Sequence, residues 1–259
     1  MAESTLSLSY PDFVREVALL LGYSTTSADR TAAETAEIDR LVQSGLRQFY
    51  HPPIVPGEAS PHEWSFLSPV KTLVTASGDY DYDLPEDFGG ITGLMTYGVN
   101  EGYLPLKVAG EGRIRFLRMR GTVTGKPKIV AIRPKTSVGT TGQRFEALFW
   151  PTPDGIYNLG YQCNALQNKI SNTYPYPLGG MAHCETVLES CLAIAEERMN
   201  DVGEGLHKAK FLERLAASVG LDRKAMTPEY FGYNADRSGI EHGEYPKHDY
   251  VTYNGVLYE

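Results

Sequence analysis

The sequence has 259 residues, of which 42% are hydrophobic and 22% charged, a composition typical of soluble globular proteins and not of disordered or membrane-spanning ones. Its longest apolar run, residues 17–21, is far shorter than the roughly 20 residues that cross a bilayer. The odd number of cysteines, three, argues against a disulfide framework and for a reducing compartment. Since the N-terminus has no basic and apolar leader, we expect synthesis in a cytoplasm.

The formal net charge of −8 is unevenly distributed along the chain. Residues 1–105 hold 5 Lys and Arg against 15 Asp and Glu, residues 106–135 hold 9 against 1, and residues 136–259 hold 10 against 16. An acidic protein with one basic segment is not a typical duplex-binding protein, because counterion release requires a broad cationic face. The basic segment either meets an acidic protein surface or a phosphate, or is a solvated strand face.

Two amphipathic helices are predicted near the N-terminus. Ser9 fits an N-cap with Pro11 in the first turn, which predicts a helix that Gly22 ends. A second helix is predicted from near Asp29 and ends before Pro52, because proline cannot donate a hydrogen bond and disfavours helix in the preceding residue. Each helix has an apolar stripe that must pack against another element.

From residue 64 the apolar period changes from 3.6 to 2, which indicates strands. We predict strands at 64–66, 70–74, 80–84, 91–99, 103–108, 128–133, 144–150 and 156–163, and a short helix near 110–119. The sequence of residues 144–165, RFEALFWPTPDGIYNLGYQCNA, predicts a hairpin that joins the last two strands through a turn at Pro151–Gly155. Its bulky side chains are expected to face either the sheet core or a partner: Phe145, Leu148, Trp150, Ile156 and Leu159.

Helical periodicity returns near Gly180, in one helix that ends around Gly203 and another that Gly220 ends. Since amphipathic helices at both ends of the chain need partners, the economical solution is a bundle of four.

We therefore predict an α+β fold. Its parts are a four-helix bundle formed from both chain ends (1–63 and 166–221), an inserted antiparallel β-rich module (64–165) and an extended tyrosine-rich C-terminal arm (222–259). Six tyrosines in the 38 residues of the arm are more than disordered tails usually contain. The arm either packs on its own domain or docks on a neighbouring chain.

No motif predicts catalysis, a metal or a cofactor. A calcium loop starting at Asp79 would have Leu84 in place of its glycine and Gly90 in place of its bidentate acid, so we expect these aspartates to face water. Residues 121–126 lack the Ser or Thr of a phosphate loop. Cys184 and Cys191 would lie about 10 Å apart along a helix, which favours core packing. We therefore predict that the protein is not an enzyme.

Several short motifs, taken in order, resemble those of the head-to-tail adaptor (connector) proteins of tailed bacteriophages, in particular the larger adaptors with a β insertion in the helical bundle. The motifs are IDRLVQSGLRQFY at 38–50, WSF at 64–66, YDLPEDF at 82–88, GKP at 125–127, FWPTPD at 149–154 and LAIAE at 192–196. The resemblance extends over residues 8–220.

The resemblance implies a virion structural protein of the neck, made in the host bacterial cytoplasm. Members of that family form a ring, usually twelvefold, beneath the portal protein. The ring joins the capsid to a downstream tail or nozzle protein, and genomic DNA passes through its lumen. Terminal segments in the family commonly reach the portal, which a tyrosine-rich arm would suit.

Candidate contacts to the portal or to a neighbouring subunit lie in three places. They are Tyr245, Tyr250, Tyr253, Leu257 and Tyr258 in the arm, Arg113, Arg115, Arg118 and Arg120 in the basic segment, and Trp150 on the predicted hairpin. The alternative function is a carbohydrate- or ligand-binding β-module of a tail or surface protein, with the aromatic hairpin as its stacking platform.

Overall fold

The computed structural model describes residues 3–56, 59–99, 101–136, 142–200 and 205–226, together with two short strands at 252–253 and 256–257. The chain divides into two compact units, residues 1–219 and 220–259. The described part has both helices and sheets, so the predicted α+β class is confirmed.

Five α-helices form in the described part of the chain, and side chains cap the first two. They are α1 (Tyr10–Leu20), α2 (Ala32–Tyr50), α3 (Glu111–Met119), α4 (Cys184–Asn200) and α5 (Leu206–Met226). Ser9 caps α1 together with Asp12, and Thr31 caps α2 together with Glu34. Because Thr31 is the cap, α2 begins a few residues later than predicted. The predicted stop at Gly220 is wrong, since α5 continues through it.

Helices from both ends of unit 1 share one buried core. α1, α2 and α4 pack directly against one another, and Gly45 of α2 allows the backbone of α4 to approach so closely that a Cβ there would lie 2.5 Å from the Cα of Cys191. Three side chains of α5 belong to the same core, Phe211, Leu215 and Val219. The finer prediction, a regular four-helix bundle, stays a prediction.

The β-rich part of unit 1 forms two sheets. The strands are β1 (Val70–Val74), β2 (Asp81–Asp83), β3 (Phe88–Tyr97), β4 (Lys107–Val108), β5 (Ile129–Lys135), β6 (Arg144–Trp150) and β7 (Asn158–Ala165). One sheet has the order β1-β7-β3 and is antiparallel, whereas the other has the order β2-β6-β5-β4, with β4 parallel to β5. A single apolar cluster draws on both sheets, including Leu159 and Tyr161 from the first and Val130 and Phe149 from the second.

The predicted hairpin of residues 144–165 is wrong, because β6 and β7 belong to different sheets. The segment between them crosses from one sheet to the other and is held by hydrogen bonds to other loops. The amide of Thr152 donates to the carbonyl oxygen of Val123 (2.9 Å), and that of Gly78 donates to the carbonyl oxygen of Pro153 (2.9 Å). A proline-rich turn after a strand can therefore lead the chain into a second sheet as well as back along the same sheet.

The predicted strand at residues 64–66 is also wrong, since Ser65–Leu67 form a short 3-10 helix. Trp64, which precedes it, is buried in the helical core, and its Nε1 donates a hydrogen bond to the carbonyl oxygen of Phe49 (2.8 Å). This tryptophan therefore belongs to the helical body rather than to a sheet.

In unit 2, strand β8 (Thr252–Tyr253) pairs with β9 (Val256–Leu257) in antiparallel fashion. The prediction of an extended arm falls mainly on residues outside the described part. Its first residues, 222–226, are helical because they complete α5.

Candidate interaction surfaces

The basic segment centres on α3, which lies on the four-stranded sheet through one buried apolar contact. Ile114 is enclosed with Ala131 of β5 and Leu148 of β6. Because this contact turns one face of α3 towards the sheet, some arginines of α3 face the sheet and the others face the solvent.

Arg118 faces the sheet. Its Nη1 lies 3.1 Å from Oδ1 of Asp81 in β2, and its Nη2 donates to the carbonyl oxygens of Tyr80 (3.1 Å) and Phe149 (3.2 Å). The guanidinium carbon is 4.2 Å from the centre of the Tyr80 ring, within the range of a cation–π contact. Arg118 therefore joins α3 to β2 and β6, and its guanidinium is occupied within the module.

Other cations of the basic segment also pair with acids of neighbouring strands. Arg133 of β5 lies 3.3 Å from Oδ2 of Asp81 and pairs with Glu146 of β6, and this hydrogen bond with Glu146 raises the pKa of the Arg133 guanidinium. Lys135 lies 2.7 Å from Asp83. The expectation that the aspartates of this stretch simply face water is therefore wrong for Asp81, which is held between two arginines.

The remaining arginines of α3 form an outward surface, which we call the α3 face. Arg113, Arg115 and Arg120 point to solvent beside the exposed side chains of Phe116 and Met119. The guanidinium carbons of Arg113 and Arg120 each lie 5.9 Å from the centre of the Phe116 ring, and Arg115 makes an exposed pair with Glu111 (3.6 Å). Arginine and aromatic side chains together are typical of protein interfaces.

Trp150 and its neighbours in residues 144–165 lie mainly inside the module. Phe149 and Tyr161 are buried, and Trp150 packs half-buried on the contact beneath α3, whereas Ile156 is exposed. A stacking platform for sugars requires exposed aromatic faces, so this stretch does not provide the platform that the alternative function needs.

A second exposed surface was missed in the sequence because its prolines indicate only a loop. In residues 174–178 the large side chains of Tyr174, Tyr176 and Leu178 point outward, whereas Pro177 is buried and Pro175 is half-buried. We call this segment the 174–178 ridge. It inverts the usual pattern of a solvated loop, in which apolar side chains face the protein.

The predicted arm contacts fall largely beyond what the structure describes. Tyr245, Tyr250 and Tyr258 lie outside the described residues. Tyr253 and Leu257 lie in β8 and β9. Their role as partner contacts stays a prediction.

A cleft of about 480 Å³ beside α2 is lined in part by Tyr10, Thr35, Asp39 and Lys169. Asp39 accepts hydrogen bonds there from Oη of Tyr10 (2.8 Å) and from Nε2 of Gln43 (3.0 Å). Burial and this carboxylate raise the pKa of the Tyr10 phenol. The two groups are therefore engaged in joining α1 to α2.

The three cysteines, Cys163, Cys184 and Cys191, are all buried, and burial raises the pKa of the Cys191 thiol to about 12. Among the described residues no cluster of His, Cys, Asp and Glu could hold a metal ion. Within the same ranges, no helix combines the length and apolar character that a bilayer crossing requires.

The α3 face and the 174–178 ridge both present apolar side chains to solvent, which is the composition of surfaces that contact other proteins. The family model of the SU10 adaptor protein matches residues 8–232, and the chain therefore belongs to the SU10 adaptor protein family. It is a bacteriophage structural adaptor, of a family that is structural and not enzymatic. The family implies a place in the neck of the virion, between portal and tail proteins. A comparison with curated proteins gave no match.

Proposed function

We propose that the protein forms a ring of twelve copies beneath the portal. The ring joins the capsid to the downstream tail or nozzle protein and surrounds the DNA channel. The observation on which this proposal rests is the match of the SU10 adaptor family to residues 8–232. Helices from both ends of the chain enclosing one core, with a β module inserted between them, suit the larger type of adaptor.

The charge of the chain supports passage of DNA through such a ring. A net charge of −8 repels phosphate, so DNA in transit is not retained by the wall. In the basic segment, Arg118, Arg133 and Lys135 pair with carboxylates of the same module. The outward arginines of α3 are assigned to a protein partner and not to the wall of the channel.

The α3 face and the C-terminal arm are the proposed contacts to other virion proteins. Arg113, Arg115 and Arg120 present cations around an exposed aromatic ring, which suits an acidic partner surface. The arm supplies rigid tyrosines, which anchor docked segments at low entropic cost.

Co-sedimentation with portal rings tests the function. Since α5 ends at Met226, the truncation that spares this helix removes residues 227–259. We expect the full chain to pellet with portal rings, and the truncated chain to stay folded but to pellet at least about tenfold less well, because anchors such as these dominate binding energy.

Two outcomes would contradict the proposal in different ways. Failure of the full chain to bind portal rings would overturn the proposed position of the protein beneath the portal. Undiminished binding by the truncated chain would overturn only the role of the arm.

A further inference from the structure

The 174–178 ridge lies within the longest stretch of the chain without a charged side chain. Residues 170–184 contain no Asp, Glu, Lys or Arg, and the outward side chains of Tyr174, Tyr176 and Leu178 are 74%, 45% and 50% exposed. Exposed apolar groups in a segment without charged residues are typical of the centre of an interface. The carboxylate of Glu3 lies beside this stretch, next to Gly180.

Hydrogen bonds hold the backbone of the ridge on the helical body. The amide of Tyr10 donates to the carbonyl oxygen of Pro175 (2.7 Å), and the amide of Leu178 donates to Oη of Tyr50 (2.9 Å). Pro177, which lies between these two anchored residues in the sequence, is buried. Since the segment is already ordered, docking against it costs little further conformational entropy.

The prolines also determine how the ridge can bind. Pro175 and Pro177 have no amide hydrogen, and the amide of Leu178 is already used by Tyr50. The ridge is therefore poorly suited to extending a sheet as an added strand. Its outward side chains remain as the means of contact, and they require a shallow surface without charges, because an unpaired charge buried beneath them would be costly.

The same chain has such a surface on the outer side of the β1-β7-β3 sheet. The alternation of the strands turns ten residues away from the core, and none of them is charged: Val70, Thr72, Val74, Gly90, Thr92, Thr96, Asn158, Gly160, Gln162 and Asn164. Solvated sheet faces normally include charged side chains, and 22% of this chain is charged. Val70 and Val74 are 75% and 56% exposed, and Thr72, Thr92, Thr96 and Asn158 are exposed as well. Gln162 and Asn164 are half-buried and hydrogen-bond to Ser68, so the open part of the face lies beyond these two residues.

We propose that the 174–178 ridge of one copy docks on the outer face of the β1-β7-β3 sheet of a second copy. This inference rests on the proposed ring. A contact between two different patches of one chain is heterologous, and such contacts close into a ring when the rotation fits. Two uncharged surfaces match each other, whereas the α3 face, with its arginines, matches an acidic surface elsewhere in the neck.

Charge insertion tests the contact on both sides. Tyr176→Glu places a carboxylate on the ridge, and Thr72→Glu places one on the sheet face. Leu19→Glu is the matched control, since Leu19 is an exposed apolar residue of α1 outside both surfaces. Each interface variant should raise the protein concentration needed for half-maximal ring assembly by at least about tenfold, and the control should leave it unchanged.

Assembly is measured by analytical ultracentrifugation, with portal rings added if the chain is monomeric alone, and thermal unfolding checks that each variant is folded. If wild-type chains form the ring and both folded variants form it equally well, this inference is overturned and the proposed function stands. If wild-type chains form no ring, alone or on portal rings, both the proposed ring and the proposed contact are overturned.

Cross-linking tests whether the two surfaces meet each other. Because the native cysteines are buried, one population with Tyr176→Cys and another with Thr72→Cys expose a single thiol each. The inference predicts disulfide-linked dimers under mild oxidation in the mixed ring and not in rings of either variant alone. If assembled mixed rings contain no disulfide-linked dimer, the experiment is repeated with Val74→Cys in place of Thr72→Cys. Absence of the dimer in both experiments would overturn the proposed pairing of the two surfaces.

Discussion

At the scale of the residue, Arg118 and Arg113 show how two arginines of one short helix acquire different roles. Arg118 contacts Asp81, Tyr80 and Phe149, whereas Arg113 lies outward beside Phe116. The sequence placed both in one basic segment, because spacing along a helix does not tell which face a sheet will cover. Asp81 was mistaken for a solvated aspartate for the same reason.

This difference predicts the stability of two variants. Arg118→Ala removes the ion pair with Asp81 and a donor to the carbonyl oxygen of Phe149. Asp81 keeps Arg133, and the carbonyl oxygen of Tyr80 keeps the amide of Phe149. We therefore expect the free energy of unfolding to fall by about 1–2 kcal/mol. Arg113→Ala should change it by less than about 0.5 kcal/mol. Urea denaturation of both variants measures the difference, and equal losses would contradict the assignment of Arg118 to the interior of the module.

Tyr161 predicts a loss of stability in alkali. Burial, with the nearby Cys163 and Asp87, raises the pKa of its phenol to about 12, whereas an unfolded tyrosine has a pKa near 10. The folded state therefore holds the proton more tightly, and this contribution is complete below about pH 10 and is lost as the pH rises towards about 12.

Tyr161→Phe removes the titrating hydroxyl. Within the described residues this hydroxyl makes no hydrogen bond that the substitution would break. We expect wild-type protein to lose about 1 kcal/mol more than the variant between pH 8 and pH 11. Urea titrations at the two pH values give the comparison, and parallel losses in both proteins would contradict the assignment.

At the scale of the element, the helices were predicted well and the sheet connections were not. The cap at Ser9 marks the start of α1 by local chemistry, which a sequence displays directly, whereas the cap at Thr31 was missed and α2 was predicted to begin near Asp29. The turn at Pro151–Gly155 displays only that the chain bends. Whether β7 then pairs with β6 or with β1 depends on long-range packing, which no local pattern contains.

Gly45 and Gly220 form a matched pair of helical glycines with opposite expected effects. At Gly45 a Cβ would lie 2.5 Å from the Cα of Cys191, whereas at Gly220 it would meet nothing within 4 Å. Gly45→Ala should therefore lower the free energy of unfolding by about 3 kcal/mol, through the forced separation of α2 and α4. Gly220→Ala should raise it by about 0.5–1 kcal/mol, because alanine favours helix.

Thermal and urea unfolding of the two alanine variants test the helix contact. A Gly45→Ala protein as stable as the wild type would show that α2 and α4 do not approach as described. The case of Gly220 also explains the missed end of α5: a glycine inside a helix costs too little to stop it.

At the scale of the whole molecule, the resemblance of ordered motifs, and not any single site, indicated the class of protein. The adaptor prediction is confirmed at the level of the family. The sequence could not reveal the 174–178 ridge, because prolines indicate a loop without telling which side chains point outward.

The α3 face predicts how assembly depends on charge. Arg113→Glu combined with Arg120→Glu reverses two exposed cations and spares Arg118, so the domain should remain folded. We expect attachment to portal or tail proteins to fall by at least about tenfold at low salt, and the difference from wild type to narrow as salt screens the charges.

Co-sedimentation across a range of salt concentrations measures this effect. Arg144→Glu is a suitable control, because it reverses one cation on β6, away from α3, where Arg144 pairs with the exposed Glu86 (2.7 Å). Attachment that does not respond to the double reversal would leave the α3 face as an ordinary solvated surface.

The burial of all three cysteine thiols bears on the stability of a virion outside its host. Oxidants and foreign disulfides attack an accessible thiolate, and a virion outside its host is exposed to dissolved oxygen. In the proposed ring, neighbouring copies would present no accessible thiol to one another, so oxidation would not link them by disulfides. The proposed connection between head and tail would then depend on noncovalent contacts alone.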